Sequence, residues 1–401
     1  MIVLVINAGS SSVKFTLFNM SDGKKVLAQG LIERIGIEGT SMKYSNHKGG
    51  KFEQKVQVAN PTDAVKEITR NLVSPEYGVL GSLSEINAIG HRIVHGMEKI
   101  SKPVLLTKEA KEIVRECFSL SPLHNPHNLA GIEACEAVLP GVPNVGVFDT
   151  AFHATMPDYA YLYGIDYKWY EKDFIRRYGF HGTSHEYVSR AAASFLGKPY
   201  ESLRIITCHL GNGASVTAIK DGKCQDTSMG LTPLEGLIMG TRSGDLDPAV
   251  VLHIMTLTGK NPKEMDVLLN KESGVLGIGG IGSSDLRDIE EAAGKGNKRC
   301  EVALKMFAYR VRKYIGAYIA VLSGLDVLVF TAGAGENSST LRASVLAGLD
   351  ELGLTVDPKR NDPRSSEIRQ ISTDAGRVKV LVVPTNEELA IADLTTGLLK
   401  G

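Results

Sequence analysis

Two short turns rich in glycine and serine are the parts of this chain best suited to phosphate chemistry. The first, residues 7–12, follows an apolar segment and precedes Lys14. The second, residues 209–215, follows another apolar segment half a chain length later. Glycine lets backbone N–H groups approach an anion, serine adds hydroxyl donors, and Lys14 adds a positive charge. One such turn alone is typical of an ordinary hairpin, whereas two matched copies predict a nucleotide-binding protein with two related domains.

Two arginines and a histidine in glycine-punctuated segments are candidates for handling a phosphoryl group. Arg92 lies in residues 90–96 and Arg242 in residues 239–244. A guanidinium fork matches phosphoryl oxygens better than an ammonium group does. His181, flanked by small residues, could donate a hydrogen bond to a transferring oxygen. The plainer alternatives stay open, because a loop arginine is often a surface residue and His181 also fits the cap of the next helix.

Three side chains that could offer an oxygen ligand to a metal lie at the end of a predicted strand or shortly after it. These are Asn7, Asp149 and Glu387. Mg²⁺ prefers oxygen ligands and commonly uses one or two protein groups together with phosphate. Each residue also has a structural explanation: Asn7 as a turn former, and Asp149 and Glu387 as acids at helix N-termini. The pattern therefore indicates a metal site, with these structural roles as the alternatives.

Alternating strands and helices must position these residues, which predicts an α/β architecture. The closing helix after Glu388 is expected to pack back on the first domain. The apolar patterns predict strands at residues 3–6, 13–18, 86–93, 142–148, 205–208, 216–219, 326–330 and 378–383, further antiparallel strands between 31 and 58, and helices at 61–72, with Thr62 as its N-cap, 107–120, 128–139, 185–196 and 297–322.

Composition narrows the class of protein. The chain has 401 residues, of which 43% are hydrophobic, enough for a large core and more than one domain. A formal net charge of +0 argues against a nucleic-acid partner. The five cysteines are scattered without a C-x-x-C pair, which favours a reducing compartment. The start lacks the features of a signal peptide and no apolar run reaches membrane-span length, so we expect a cytoplasmic protein with no membrane partner.

A series of sequence strings matches one family, in order, along nearly the whole chain. The strings are residues 7–14, 90–96, 147–153, 178–185, 208–215, 232–237, 239–244, 331–337 and 384–389. Through them the chain resembles the acetate kinase family. The resemblance implies two duplicated actin- and sugar-kinase-like (ribonuclease H-like) domains with a central cleft. The repeated hairpin divides the chain into an N-terminal domain at residues 1–150, closed by a C-terminal helix at 386–401, and a nucleotide-binding domain at 151–385.

The same resemblance implies the reaction and its participants. These are reversible transfer of the γ-phosphoryl group of ATP to acetate, giving acetyl phosphate and ADP, with Mg²⁺ as the metal and Mn²⁺ as an alternative. It also implies a homodimer and a place in acetyl-CoA biosynthesis.

Site residues follow from the matching positions. The catalytic group falls on Arg92, Asp149, His181 and Arg242, the metal-linked pair on Asn7 and Glu387, and the small acyl pocket on Val94, Leu123 and Pro233, with Arg92 beside them. The nucleotide contacts fall on Lys14, His209, Leu210, Gly211, Asn212, Gly213, Asp285, Leu286, Arg287, Gly333, Ala334, Gly335, Glu336 and Asn337. Two loops depart from the family pattern: Met97 stands where a glycine is usual, and residues 277–284 are unusually rich in glycine.

The chemistry of the acceptor predicts a direct in-line transfer. A carboxylic acid with a pKa of about 4 is already ionised at neutral pH, so the attack needs no strong general base. We therefore expect Asp149 to orient the metal or the attacking carboxylate. A propionate or butyrate kinase is the main alternative, because one methylene changes binding by only about 1–3 kcal/mol. A non-catalytic actin-like scaffold would not need the two arginines and the histidine, and a sugar kinase would need a base and polar sugar contacts.

Overall fold

The computed structural model describes residues 1–362 and 364–401. The chain forms two compact units: the first comprises Met1–Ala151 and Asn386–Gly401, and the second comprises Phe152–Thr385. Each unit is built on one twisted sheet, with helices packed against it. Within the described residues, no helix combines the length and apolarity needed to cross a membrane.

The first unit has an eight-stranded sheet in the order β5-β4-β3-β2-β1-β6-β8-β7. Strands β1 to β5 form an antiparallel meander, and β6 and β8 continue the sheet parallel to β1. The strands are β1 Ile2–Ala8, β2 Ser12–Asn19, β3 Lys25–Glu33, β4 Ser41–Asn46, β5 Lys51–Lys55, β6 Ile86–Ile93, β7 Val104–Leu105 and β8 Asn144–Phe148. The helices are α1 Pro61–Leu72, α2 Lys108–Glu116, α3 Asn125–Val138 and the final helix of the chain, α15 Glu387–Lys400.

Helix α15 packs directly on β6 because β6 has a glycine at the contact. A Cβ on Gly90 would lie 2.6 Å from Thr395 Oγ1 and 2.7 Å from Ile391 Cγ2. Real Cβ atoms do not approach so closely, so glycine is required for this packing. The close approach sets the position of the first turn of α15, which contains Glu387 and Glu388.

The second unit has a six-stranded sheet in the order β11-β10-β9-β12-β14-β13. Its strands are β9 Ile205–Leu210, β10 Ala214–Lys220, β11 Lys223–Thr227, β12 Val327–Thr331, β13 Arg369–Gln370 and β14 Lys379–Val382. Its helices are α4 Asp158–Tyr161, α5 Lys168–Asp173, α6 Gly182–Phe195, α7 Pro248–Thr258, α8 Pro262–Lys271, α9 Gly274–Gly279, α10 Leu286–Gly294, α11 Lys298–Val321, α12 Ala332–Asn337, α13 Ser339–Leu346 and α14 Pro358–Asn361.

The two sheets repeat one topology. In the first, β3-β2-β1 is an antiparallel run and β6 and β8 add parallel to β1. In the second, β11-β10-β9 is the antiparallel run and β12 and β14 add parallel to β9. The glycine- and serine-rich turns identified in the sequence are the β1–β2 and β9–β10 turns, so they occupy equivalent places in the two sheets.

Helix boundaries show where local sequence reasoning was wrong. The N-cap of α1 is Asn60 and not Thr62, because Pro61 occupies the first helical position and Asn60 accepts from the backbone N–H of Asp63. Helix α3 begins at Asn125, earlier than the predicted residue 128, and α2 ends at Glu116, before the predicted residue 120. The long helix predicted at residues 297–322 is α11, with Asn297 as its cap.

Candidate active site

The carboxyl ends of three adjacent parallel strands bring predicted site residues to one edge of the first sheet. Asn7 is near the end of β1, Arg92 near the end of β6, and Asp149 directly after β8. Strands β1, β6 and β8 are neighbours in that order. This edge is where ligands commonly bind in parallel α/β sheets.

Arg92 and Asp149 form a bidentate ion pair. Arg92 Nε donates to Asp149 Oδ1 at 3.1 Å, and Arg92 Nη2 donates to Asp149 Oδ2 at 2.8 Å. Only 3% of the Asp149 side chain is exposed, against 23% for Arg92. Both carboxylate oxygens of Asp149 are therefore engaged with the guanidinium, which is held in one orientation.

Two further ion pairs connect this site to the first turn of α15. Arg92 Nη1 lies 3.7 Å from Glu387 Oε2, and the Lys14 ammonium pairs with Glu388. Burial raises the pKa of Glu387; Arg92 opposes this shift and Asp149 adds to it. Burial lowers the pKa of Arg92, but the nearby carboxylates of Asp149 and Glu387 outweigh it and hold the value above its usual range.

These residues suit a hard divalent cation. Three carboxylates face only two cationic side chains in this group, so negative charge is in excess. The Asn7 side-chain amide makes no hydrogen bond to any residue that the structure describes. Across residues 1–362 and 364–401, no group of three or more His, Cys, Asp or Glu side chains is arranged to hold a metal. The arrangement fits Mg²⁺ held by one or two side chains together with phosphate oxygens.

Asn128, which the sequence predicts only as the first residue of a helix, connects the ends of strands β1 and β6. Its Nδ2 donates to the Ala8 carbonyl at 2.9 Å, and its Oδ1 accepts from the Val94 N–H at 3.1 Å. Asn128 is buried, and the neighbouring Gly131 lets α3 approach β1, since a Cβ there would lie 2.6 Å from Ala8 Cβ. The only sequence signal for this role was an asparagine at the first position of the predicted helix at 128–139.

The second unit contains a cavity of about 490 Å³ at the ends of β9 and β12. Eight of the predicted nucleotide residues line it: Gly211, Asn212, Asp285, Leu286, Arg287, Gly333, Ala334 and Asn337. The sequence reasoning missed five other lining residues, Gly240, Ser284, Glu290, Ser338 and Arg364. His209, Leu210, Gly213, Gly335 and Glu336 were predicted as contacts but do not line this cavity, and Lys14 belongs to the first unit.

Two contacts explain how the cavity walls are held. Gly240 leaves room for the Asn212 side chain, because a Cβ there would lie 1.7 Å from Asn212 Oδ1. The Glu336 carboxylate accepts from the backbone N–H groups of Ala332 at 2.8 Å and Thr385 at 3.0 Å. Ala332 has a φ of 63°, a strained conformation for a residue with a Cβ. Glu336 thus stabilises the turn between β12 and α12.

His181 and Arg242 lie side by side in the second unit, next to the β9–β10 turn. A Cβ on Gly213 would lie 3.4 Å from Arg242 Nη1 and 3.5 Å from His181 Nε2. Arg242 Nη1 donates to the Pro233 carbonyl at 3.3 Å, and no carboxylate among the described residues pairs with this guanidinium. Burial lowers the pKa of Arg242. This pair of donors suits a group that carries negative charge.

The three predicted acyl-pocket residues belong to different units. Val94 is buried in the first unit, where 47% of Leu123 is exposed. Pro233 lies in the second unit, in the loop whose carbonyl contacts Arg242. Their shared role in substrate binding stays a prediction.

Comparison with known proteins gives one consistent result. The model of the acetokinase family matches residues 2–393. The chain is 56% identical over 399 residues to an acetate kinase from Dictyoglomus turgidum, covering 99% of this chain and 97% of that one. A crystal structure of acetate kinase from Porphyromonas gingivalis superimposes with a TM-score of 0.95, 48% identity and 99% coverage of both chains. A propionate kinase from Francisella tularensis superimposes with a TM-score of 0.91, 40% identity and the same coverage. The predicted fold class is confirmed.

Proposed function

Because the chain belongs to the acetokinase family, we propose that it transfers the γ-phosphoryl group of ATP to acetate in line and reversibly, giving acetyl phosphate and ADP. The observation that carries this proposal is the family match over residues 2–393, which includes every candidate site residue. Acetate is ionised at neutral pH, so it attacks phosphorus without a base. The protein supplies position and charge stabilisation.

In the first unit, Arg92 is proposed to stabilise charge on the transferring group. Both Asp149 oxygens bond Arg92. This contact supports a role for Asp149 in orienting Arg92, in place of the expected role in orienting the metal or the attacking carboxylate. Asn7 and Glu387 are the proposed holders of Mg²⁺, which neutralises phosphate charge when bound.

In the second unit, the residues around the cavity are proposed to bind the nucleotide. His181 and Arg242 then donate to oxygens of the γ-phosphoryl group. The absence of a carboxylate partner for Arg242 among the described residues supports this role, since its charge is not neutralised within the protein.

Propionate is the second candidate substrate. The observation that favours it is the likeness to the Francisella tularensis propionate kinase over nearly the whole chain. An apolar pocket distinguishes acetate from propionate by only about 1–3 kcal/mol, so family membership supports both. We place acetate first because the curated relatives at 52–56% identity carry that name.

A homodimer is supported by helix α7. The helix is apolar along most of its length, yet none of its residues is buried, and Leu252 and Leu257 are 65% and 71% exposed. Exposed apolar faces of this kind usually mark protein contacts. Light scattering of Leu252→Glu should report a monomer if α7 forms the dimer contact, and an unchanged mass would exclude that face.

A reducing compartment, such as the cytoplasm, is supported by the cysteines. All five are free and buried.

The proposed product, acetyl phosphate, is an activated acyl donor, consistent with the predicted role in acetyl-CoA formation.

The proposed reaction is tested by trapping the acyl phosphate. Purified protein is incubated with MgATP, hydroxylamine and, in separate reactions, acetate, propionate, butyrate or glycerol, and acyl hydroxamate and ADP are measured. The highest kcat/KM with acetate is expected. A maximum with propionate or butyrate would move the assignment to that acid, and ADP formation without hydroxamate would contradict an acyl kinase.

A further inference from the structure

A row of four hydrogen-bonded side chains runs from His181 into the core of the second unit. His181 Nδ1 lies 2.9 Å from Ser215 Oγ, and Ser215 Oγ lies 2.7 Å from His185 Nε2. His185 Nδ1 lies 2.7 Å from Thr207 Oγ1. We call these residues the hydrogen-bond row. None of Ser215, His185 and Thr207 has a part in the proposed reaction, so the row needs its own explanation.

The fold holds the row rigidly. His181 is the N-cap residue of α6, with a φ of 57°, and His185 follows one turn later on the same helix. Ser215 is on β10 and Thr207 is on the adjacent strand β9. Ser215, His185 and Thr207 have 0% exposure, so their hydrogen bonds are confined to the protein.

Counting hydrogens leaves two arrangements in which every contact of the row is a hydrogen bond and Ser215 also donates its own hydrogen. Burial, with smaller contributions from His153 and His209, lowers the pKa of His185 well below its ordinary value, so this ring is neutral and has one N–H. In the first arrangement Thr207 donates to His185, His185 to Ser215, and Ser215 to His181 Nδ1. In the second, every bond is reversed and His181 Nδ1 carries hydrogen. If both rings donated to Ser215, its own buried hydrogen would have no acceptor in the row.

Thr207 distinguishes the two arrangements. In the reversed one, its hydroxyl accepts from His185, so its own hydrogen needs another acceptor. Among the described residues, the only hydrogen bond of Thr207 Oγ1 is the one to His185. A buried hydroxyl hydrogen without an acceptor is unfavourable, so the first arrangement is preferred.

We propose that Thr207, through His185 and Ser215, fixes His181 as the neutral tautomer with its hydrogen on Nε2. All three are positioning residues, and this inference rests on the proposed role of His181 as a donor to the phosphoryl group. Arg242 and the ring of His209, stacked on His181 at 4.2 Å between centroids, also lie beside this ring.

The tautomer matters because of where Nε2 lies. Nε2 and Arg242 Nη1 lie 3.5 and 3.4 Å from the position that a Cβ on Gly213 would occupy, so both reach the same side of the β9–β10 turn. With hydrogen on Nε2, the two side chains present donors together. With hydrogen on Nδ1 in the neutral ring, Nε2 would present a lone pair to the phosphoryl oxygens and repel them.

The test is a histidine ¹⁵N–¹H correlation spectrum of the full-length protein, which distinguishes protonated from unprotonated ring nitrogens. The wild type should show neutral His181 with hydrogen on Nε2. Thr207→Val should give a mixture of His181 tautomers, because the variant has no buried Thr207 hydroxyl hydrogen whose lost acceptor would disfavour the reversed row. Its kcat should fall by the same factor as the Nε2–H fraction, roughly two- to tenfold, with little change in either KM.

Two variants control for packing. Thr207→Ser keeps the hydroxyl and should retain the wild-type tautomer. Thr217→Val removes a hydroxyl from the register partner of Thr207, which is equally buried but bonds Thr227 outside the row. It should leave the spectrum of His181 and kcat unchanged.

Specific results would overturn the inference. Hydrogen on Nδ1 in the wild type would do so directly, as would an unchanged tautomer in Thr207→Val. If Thr207→Val does not fold, Ser215→Ala replaces it, and a single Nε2–H tautomer in that variant contradicts the row. Full activity of His181→Ala would instead refute the proposed role of His181, whereas the spectrum tests the row independently.

Discussion

A double-mutant cycle on Arg92 and Asp149 tests whether Asp149 acts through Arg92. If arginine-finger magnitudes apply, Arg92→Ala should lower kcat by about 10³, or about 4 kcal/mol. Asp149→Ala removes both acceptors of the bidentate pair, at 2.8 and 3.1 Å, and leaves Arg92 with Glu387 at 3.7 Å. Loss of charge-assisted bonds worth roughly 1.5–3 kcal/mol should lower kcat by about 10–100-fold.

The double variant decides whether Asp149 acts by orienting Arg92 or by contacting the metal or substrate itself. If Asp149 works by holding Arg92, removing it in addition to Arg92 should change kcat little, giving a coupling energy of about 1.5–3 kcal/mol. The assay is hydroxamate formation at saturating ATP and acetate, with folding checked by thermal denaturation. Lys24→Ala is the matched control, because Lys24 pairs with Asp393 at 2.8 Å on the same helix as Glu387. Losses that multiply in the double variant would refute the reasoning and show that Asp149 contacts the metal or substrate independently.

Three further predictions concern the nucleotide wall, backbone strain and the metal site. Gly240→Ala forces the Asn212 side chain away, since the new Cβ would lie 1.7 Å from Asn212 Oδ1. The KM for ATP should rise roughly 10–100-fold, and the KM for acetate should not change. An unchanged KM for ATP would show that Asn212 does not contact the nucleotide. Met97 has a φ of 52°, so Met97→Gly should stabilise the protein by about 1 kcal/mol in urea unfolding; a less stable variant would show that side-chain packing outweighs strain. Burial raises the pKa of Glu387, so this carboxylate destabilises the folded state above its folded pKa, and that cost disappears below its unfolded pKa. Without Mg²⁺, Glu387→Gln should therefore raise the Tm at neutral pH, and this gain should shrink as the pH falls from the folded to the unfolded pKa of Glu387. Mg²⁺ with ADP should stabilise the wild type more than the variant. Equal stabilisation would remove Glu387 from the metal site.

Local patterns were sufficient for most secondary-structure elements. The apolar strands, the two hairpin turns and helix α11 were predicted from spacing over a few residues, because burial imposes a period of two on strands and 3.6 on helices. Helix ends were less accurate. At α1 the choice between Asn60 and Thr62 depended on which residue Pro61 allows to cap the helix, and both are common caps.

Site residues could be named from sequence, but their contacts could not. The bidentate bond between Arg92 and Asp149 joins residues 57 positions apart, and Asn128 bonds Ala8 across 120 positions. No local pattern specifies such contacts, since they depend on which strands become neighbours. The sequence also gave no reason to connect Thr207 with His181, because Ser215 and His185, which link them, resemble ordinary buried residues in their segments.

The sequence by itself determined the family, the repeated hairpin and the candidate chemistry, because these are carried by residue types at short spacings. The tertiary structure alone decided that Asp149 is bound on both oxygens to Arg92, that Arg242 has no carboxylate partner among the described residues, and that a buried hydroxyl orients the row behind His181. The physical reason is that hydrogen-bond direction and charge pairing depend on distances of about 3 Å between side chains, and only the folded chain sets those distances.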